Sequence, residues 1–73
     1  MRYLFLYSKD EENEINYELE RISKIRFDFA PNIFCAYDLN KKGFKPIEIL
    51  TVIEFRDGRT EAYSTLDWEM YFD

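Results

Sequence analysis

Apolar positions in this 73-residue chain recur in two rhythms, and those rhythms predict its elements. Arg2 to Tyr7 is almost continuously apolar and aromatic, which predicts a strand buried on both faces or nearly so. In "SKDE" Glu11 follows Ser8 by three residues, the form of a capping box, with Asp10 as an alternative cap. Beyond it Ile15, Leu19 and Ile22 recur at i, i+4 and i+7, with Ile25 at the edge of the stripe. That spacing predicts an amphipathic helix over 11–24. A strand reading competes, because Ile15, Tyr17 and Leu19 also alternate with Asn16, Glu18 and Glu20. The helix is preferred: good helix formers dominate, a cap precedes them, and nothing between 13 and 29 offers a hairpin turn.

Ile25, Phe27 and Phe29 alternate as extended chain does, before "APN", where Pro31 and Asn32 suit the centre of a type I turn. Ile33 to Leu39 reads as the next strand, closed by the polar loop "NKKGF". From Ile47 to Arg56 runs the strongest strand, "IEILTVIEFR", apolar on both faces in its middle and therefore central. Asp57-Gly58 predicts a hairpin turn into "TEAYS". A two-residue loop would set Glu54 against Glu61 and Arg56 against Arg59, whereas a three-residue loop with Gly58 as a bulge avoids both like-charged pairs; the sequence leaves the two open.

The closing stretch "STLDWEMYFD" also reads two ways. As a strand it puts Leu66, Trp68, Met70 and Phe72 on one face and Asp67, Glu69, Tyr71 and Asp73 on the other. As a helix capped by Ser64 it pairs Trp68 with Phe72 and leaves them uncovered; the cap tips the reading to the short helix. The expected fold class is α+β over one domain, residues 1–73. A small antiparallel sheet of three to five strands would carry one main helix on one face and a short C-terminal helix or strand.

Composition narrows the chemistry. With 47% apolar and 19% aromatic residues the chain has the material for a core, although 73 residues is near the lower limit for a single unaided one. Histidine is absent, which removes the commonest general base and metal ligand. The lone Cys35 lies in the apolar run "IFCAY" and reads as a buried structural thiol. Gly43 and Gly58 stand too far apart to cradle a phosphate, and "DEENE" has Ile15 where a calcium loop needs glycine. An enzyme is the least expected class, because so small a domain has little room for a cleft, and no cofactor or metal is expected. "MRYLFLY" is too short for a signal peptide or a membrane span, so the expected location is cytoplasmic and no membrane partner is expected.

Charge is more telling than its net of −5. Residues 10–20 hold six acids and no base, and residues 61–73 hold four acids and no base; the rest of the chain is positive by five. Lysine and arginine cluster only as Arg21/Lys24/Arg26 and Lys41/Lys42/Lys45, the second with Phe44 but no other ring on which to stack a base. Direct nucleic-acid binding is therefore not expected. Acids early in a helix favour its positive end, but acids near its close oppose the dipole, so helix stability does not account for the C-terminal cluster. A surface of carboxylates that imitates a phosphate backbone accounts for both. The expected contacts are Glu11, Glu12, Glu14 and Glu18 on the helix, with Asp67, Trp68, Glu69, Tyr71, Phe72 and Asp73 at the C-terminus. Small, acidic and aromatic-rich, the chain resembles in profile the proteins with which phages and mobile elements inhibit host defence or host nucleic-acid enzymes, in the manner of anti-restriction and anti-CRISPR proteins. That profile implies a DNA mimic seated in the basic groove of a nucleic-acid-handling protein, in the host cytoplasm. The alternative is a structural or assembly protein that dimerises through an edge strand and its aromatic C-terminus.

Overall fold

The computed structural model describes residues 2–73. Strands dominate it: β1 (Tyr3–Ser8), β2 (Glu14–Glu18), β3 (Ile22–Phe29), β4 (Ile49–Phe55), β5 (Thr60–Ser64) and β6 (Trp68–Phe72). A 3₁₀ turn at Leu19–Arg21 joins β2 to β3, and two short helices, α1 (Ala30–Ile33) and α2 (Ala36–Lys42), lie between β3 and β4. The strands form two antiparallel sheets, ordered β2-β1-β6 and β3-β4-β5. Leu4 and Leu6 of the first sheet meet Ile22, Ile53 and Phe55 of the second, all buried. On the far face of the second sheet Leu50 and Val52 pack with Ala30 and Leu39 of the helices. The layers are thus sheet, sheet and helices, and each fully buried aliphatic side chain contributes about 1.5–3 kcal/mol.

This architecture corrects the expected α+β fold with one main helix. The longest helix is α2, at seven residues, and residues 14–29 are two strands broken by a single 3₁₀ turn. The objection that no hairpin turn lies between 13 and 29 fails because β2 and β3 never pair; the chain changes sheets at Leu19–Arg21. Ser8 and Asp10 are polar as the cap reading requires, but they close a turn instead. Asp10 accepts from the Ser8 hydroxyl and from the Glu12 N–H at 3.0 Å, and Ser8 Oγ accepts from the Asn13 N–H at 2.9 Å. Glu11 takes the left-handed conformation at φ 63°, which carries the chain round into β2.

The Ile33 to Leu39 strand is likewise absent. Pro31 opens α1, where its missing N–H costs nothing, and Gly43 ends α2 at φ 80°. Cys35 sits exposed at the head of α2, so the buried-thiol reading is wrong. Strand β1 is buried on one face only, that of Leu4, Leu6 and Ser8. The C-terminus is a strand, because pairing with β1 satisfies a whole row of backbone groups that a short helix would have left to water. The expectation of a central β4 agrees with its place between β3 and β5. The hairpin takes the three-residue form: the Phe55 N–H donates to the Arg59 carbonyl at 2.9 Å, Gly58 is left-handed at φ 93°, and Glu54 faces Thr60.

Glu48 ties the second sheet to the helical layer. Its buried carboxylate accepts the Ser64 hydroxyl at 2.8 Å and the Lys45 N–H, while its carbonyl accepts the Ala30 N–H at 2.9 Å.

Candidate acidic and aromatic face

Strand alternation decides which side chains leave the first sheet on its outer side. In β1 these are Tyr3, Phe5 and Tyr7, since Leu4, Leu6 and Ser8 point inward. Register then sets Glu18 beside Tyr3, Asn16 beside Phe5 and Glu14 beside Tyr7. On the other flank Tyr71 stands beside Phe5 and Glu69 beside Tyr7, while the Asp73 N–H donates to the Tyr3 carbonyl at 3.0 Å. The result is a column of rings with carboxylates at its four corners: Glu18 and Asp73 at one end, Glu14 and Glu69 at the other. At about 3.3 Å per residue and about 4.8 Å per strand, the corners span roughly 13 by 10 Å. None of the outward residues of the three strands is basic.

The rings touch one another along the column. Centroids are 6.0 Å apart for Tyr3 and Phe5, 6.1 Å for Phe5 and Tyr7, and 5.7 Å for Tyr7 and Tyr71, the last edge to face. Tyr71 donates its hydroxyl to Glu69 at 2.9 Å, and that bond, with the carboxylate's charge, holds the phenol above its ordinary pKa. Tyr7 is also raised, first by desolvation and then by the neighbouring Glu14. At neutral pH both phenols therefore keep their protons and remain hydrogen-bond donors. Beyond Tyr7 the face deepens into an open-sided groove of about 740 Å³, bounded by Tyr7, Glu14, Glu69, Tyr71 and the Glu11–Glu12 turn. A volume of that size corrects the expectation that so small a domain has little room for a cleft. Lys9 borders the groove, but its ammonium donates to the Thr65 carbonyl at 3.1 Å.

Of the expected contact residues, the structure gathers Glu14, Glu18, Glu69, Tyr71 and Asp73 on this one face, with Glu11 and Glu12 at its rim. Three others lie elsewhere. Asp67 is in the turn before β6, where its carbonyl accepts the Lys9 N–H at 2.9 Å. Trp68 points inward and packs edge to face on Tyr63, centroids 5.3 Å apart, so it is a core residue and not an uncovered anchor. Phe72 shares that inward parity but stays half exposed at the sheet margin. Sequence reasoning missed Tyr3, Phe5 and Tyr7; the signal was their alternation with Leu4, Leu6 and Ser8, hidden because tyrosine counts as apolar in a run.

Of the basic clusters, Arg26 is paired with Asp28 at 2.8 Å and Glu54 at 3.2 Å, and the Lys42 ammonium lies 5.1 Å from the centroid of the Phe34 ring. No group of three or more potential ligands that could hold a metal ion is found among the described residues. No helix among them is long and apolar enough to cross a membrane. Comparison with protein-family models, with curated proteins and with solved structures finds no match.

Proposed function

We propose that this chain is a protein-binding module whose outer face on the first sheet docks on a basic, nucleic-acid-handling surface and blocks it. The observation that supports this reading is the placement of Glu14, Glu18, Glu69 and Asp73 around a continuous row of tyrosine and phenylalanine rings, with no base among the outward residues of the three strands. Such a face answers an arginine-rich groove in two ways: carboxylates accept guanidinium hydrogen bonds, and the rings offer cation–π surfaces between them. Aromatic residues at the centre and charges at the rim are also the arrangement of an energetic hot spot. The imitation of phosphate runs across a sheet, not along a helix, and its carboxylates are spaced more widely than duplex phosphates. Inhibition of host nucleic-acid enzymes in the cytoplasm, as by a phage-encoded protein, is the setting this chemistry fits; the reading assigns the chain no catalysis and no cofactor.

The test is capture from cell extract on the immobilised chain, with a Glu14→Lys/Glu69→Lys variant as control. A nucleic-acid-binding protein should be retained by the first, released by competing duplex DNA, and lost on the variant while its thermal unfolding stays cooperative. Equal retention on both would sink the assignment of this face.

A further inference from the structure

The edges of the two sheets are unequal, and one of them matches itself. Strand β3 pairs only with β4, and the Ala30 N–H donates to the Glu48 carbonyl at 2.9 Å, which fixes the alternation of its ladder. Residues 24, 26 and 28 turn their backbone groups to β4, so those of Ile25, Phe27 and Phe29 face the open edge. The Phe29 N–H is held by Asp28 Oδ1 at 2.8 Å, which leaves the amides of Ile25 and Phe27 to pair with a further strand. Their side chains, with that of Phe29, lie on the face turned to the first sheet, where Ile25 packs against the core between the sheets and Phe27 and Phe29 stay uncovered. Phe27 is 59% exposed, Phe29 54%, and Ile49, beside Phe29 in register, 43%. A shallow apolar hollow of about 220 Å³ lies among these three and Asp28.

We infer that β3 pairs antiparallel with β3 of a second copy of this chain, about a two-fold axis at Arg26, to make one six-stranded sheet. In that register Ile25 and Phe27 of each copy exchange backbone hydrogen bonds, and no bond to the capped Phe29 amide is required. Lys24 of each copy stands opposite Asp28 of the other, and the apolar row of one continues that of its mate. Arg26 meets its own copy, but each guanidinium is already held by Asp28 and Glu54, which reduces the repulsion. Charge selects this edge over the others: β2 exposes Glu14 and Glu18, while β5 and β6 carry acids and no base, so only β3 bears both signs. This surface lies on the second sheet, apart from the acidic face, and the inference does not depend on the proposed function.

Sedimentation of the full chain between 1 and 100 µM (concentrations on the order of those at which modest interfaces assemble) reads the result. The chain should sediment as a dimer at the upper end. Lys24→Glu and Asp28→Lys should each weaken self-association about tenfold or more, because two attractive pairs become repulsive. Mixing these two variants restores both pairs and should restore a mixed dimer. Circular dichroism and tryptophan fluorescence check that each variant is folded; should Asp28→Lys unfold through loss of the Phe29 and Asn32 contacts, Lys24→Glu alone decides. A monomer at every concentration would overturn the inference, as would a dimer indifferent to Lys24→Glu.

Discussion

The hydroxyls of Tyr17 and Tyr63 lie 2.5 Å apart and form a hydrogen bond between the two sheets, from β2 of one to β5 of the other. Tyr17 also stacks edge to face on Phe55, with centroids 4.9 Å apart, so this bond sits inside the interface that holds the layers together. Burial, and then the bond to Tyr17, raises the Tyr63 phenol above its ordinary value of 10.0. A folded pKa above the unfolded one means that the native state keeps its proton longer. Its stabilisation is complete below about pH 10 and is lost as pH rises through the folded value. Tyr63→Phe should therefore lower stability by about 1 kcal/mol and flatten the decline above about pH 10, measured by urea unfolding across alkaline pH. Removing both hydroxyls should cost less than the sum of the two single changes.

The Glu69–Tyr71 bond offers a direct reading of the acidic face. Because that carboxylate raises the Tyr71 phenol, Glu69→Gln should move its titration down toward the ordinary tyrosine value. Phenolate absorbance at about 295 nm, or ring chemical shifts, followed against pH would show it. An unmoved titration would mean that the two groups do not meet in solution.

Glu48 carries more structure than its position in a loop suggests. Its carboxylate is buried and bonded to Ser64 Oγ and the Lys45 amide, so Glu48→Ala leaves the buried Ser64 hydroxyl, and the part-buried Lys45 amide, without this acceptor. The expected loss is roughly 2–3 kcal/mol, against about 1 kcal/mol for Ser64→Ala, which leaves the Lys45 bond in place. Chemical denaturation of both variants distinguishes the two values.

Stability should also fall in acid. Asp28 is held below the ordinary carboxylate value, first by the Asn32 amide and then by the Phe29 N–H, and Asp10 first by the Ser8 hydroxyl. A depressed folded pKa gives stabilisation that is present above the unfolded value near 4 and disappears as pH falls through the folded one. Asp10→Asn and Asp28→Asn should both reduce the slope of unfolding free energy against pH below about pH 4. A slope unchanged in the double variant would place the acid sensitivity in other carboxylates.

Two elements were legible from a single unopposed signal, although the equally unopposed strand reading of Ile33 to Leu39 failed where two short helices form. The β-branched run of β4 reads as a central strand, and Asp57-Gly58 marks the hairpin that follows it. Where two periods coexisted, the choice went wrong. Ile15, Leu19 and Ile22 fit a helix while Ile15 and Tyr17 fit a strand, and local propensity favoured the helix that partners of distant sequence overrode. The same happened to "STLDWEMYFD", where a cap-like Ser64 instead closes a turn, its carbonyl accepting the Asp67 N–H at 3.1 Å. Five of the expected contact residues converge because β2 and β6 both flank β1, a relationship that sequence spacing does not encode.

Composition and pattern by themselves determined that the chain has the means for a core, that its acids gather in two segments, and that histidine chemistry is absent. These are properties of residues and their neighbours along the chain. Tertiary pairing alone decided that β2 and β6, one from each acidic segment, become opposite flanks of one sheet, that Tyr3, Phe5 and Tyr7 form the ridge between them, and that Trp68 packs on the core. The reason is that a strand's face and neighbours are fixed by hydrogen bonds to residues far away in sequence. A one-residue change of register would have turned every one of these side chains to the other side.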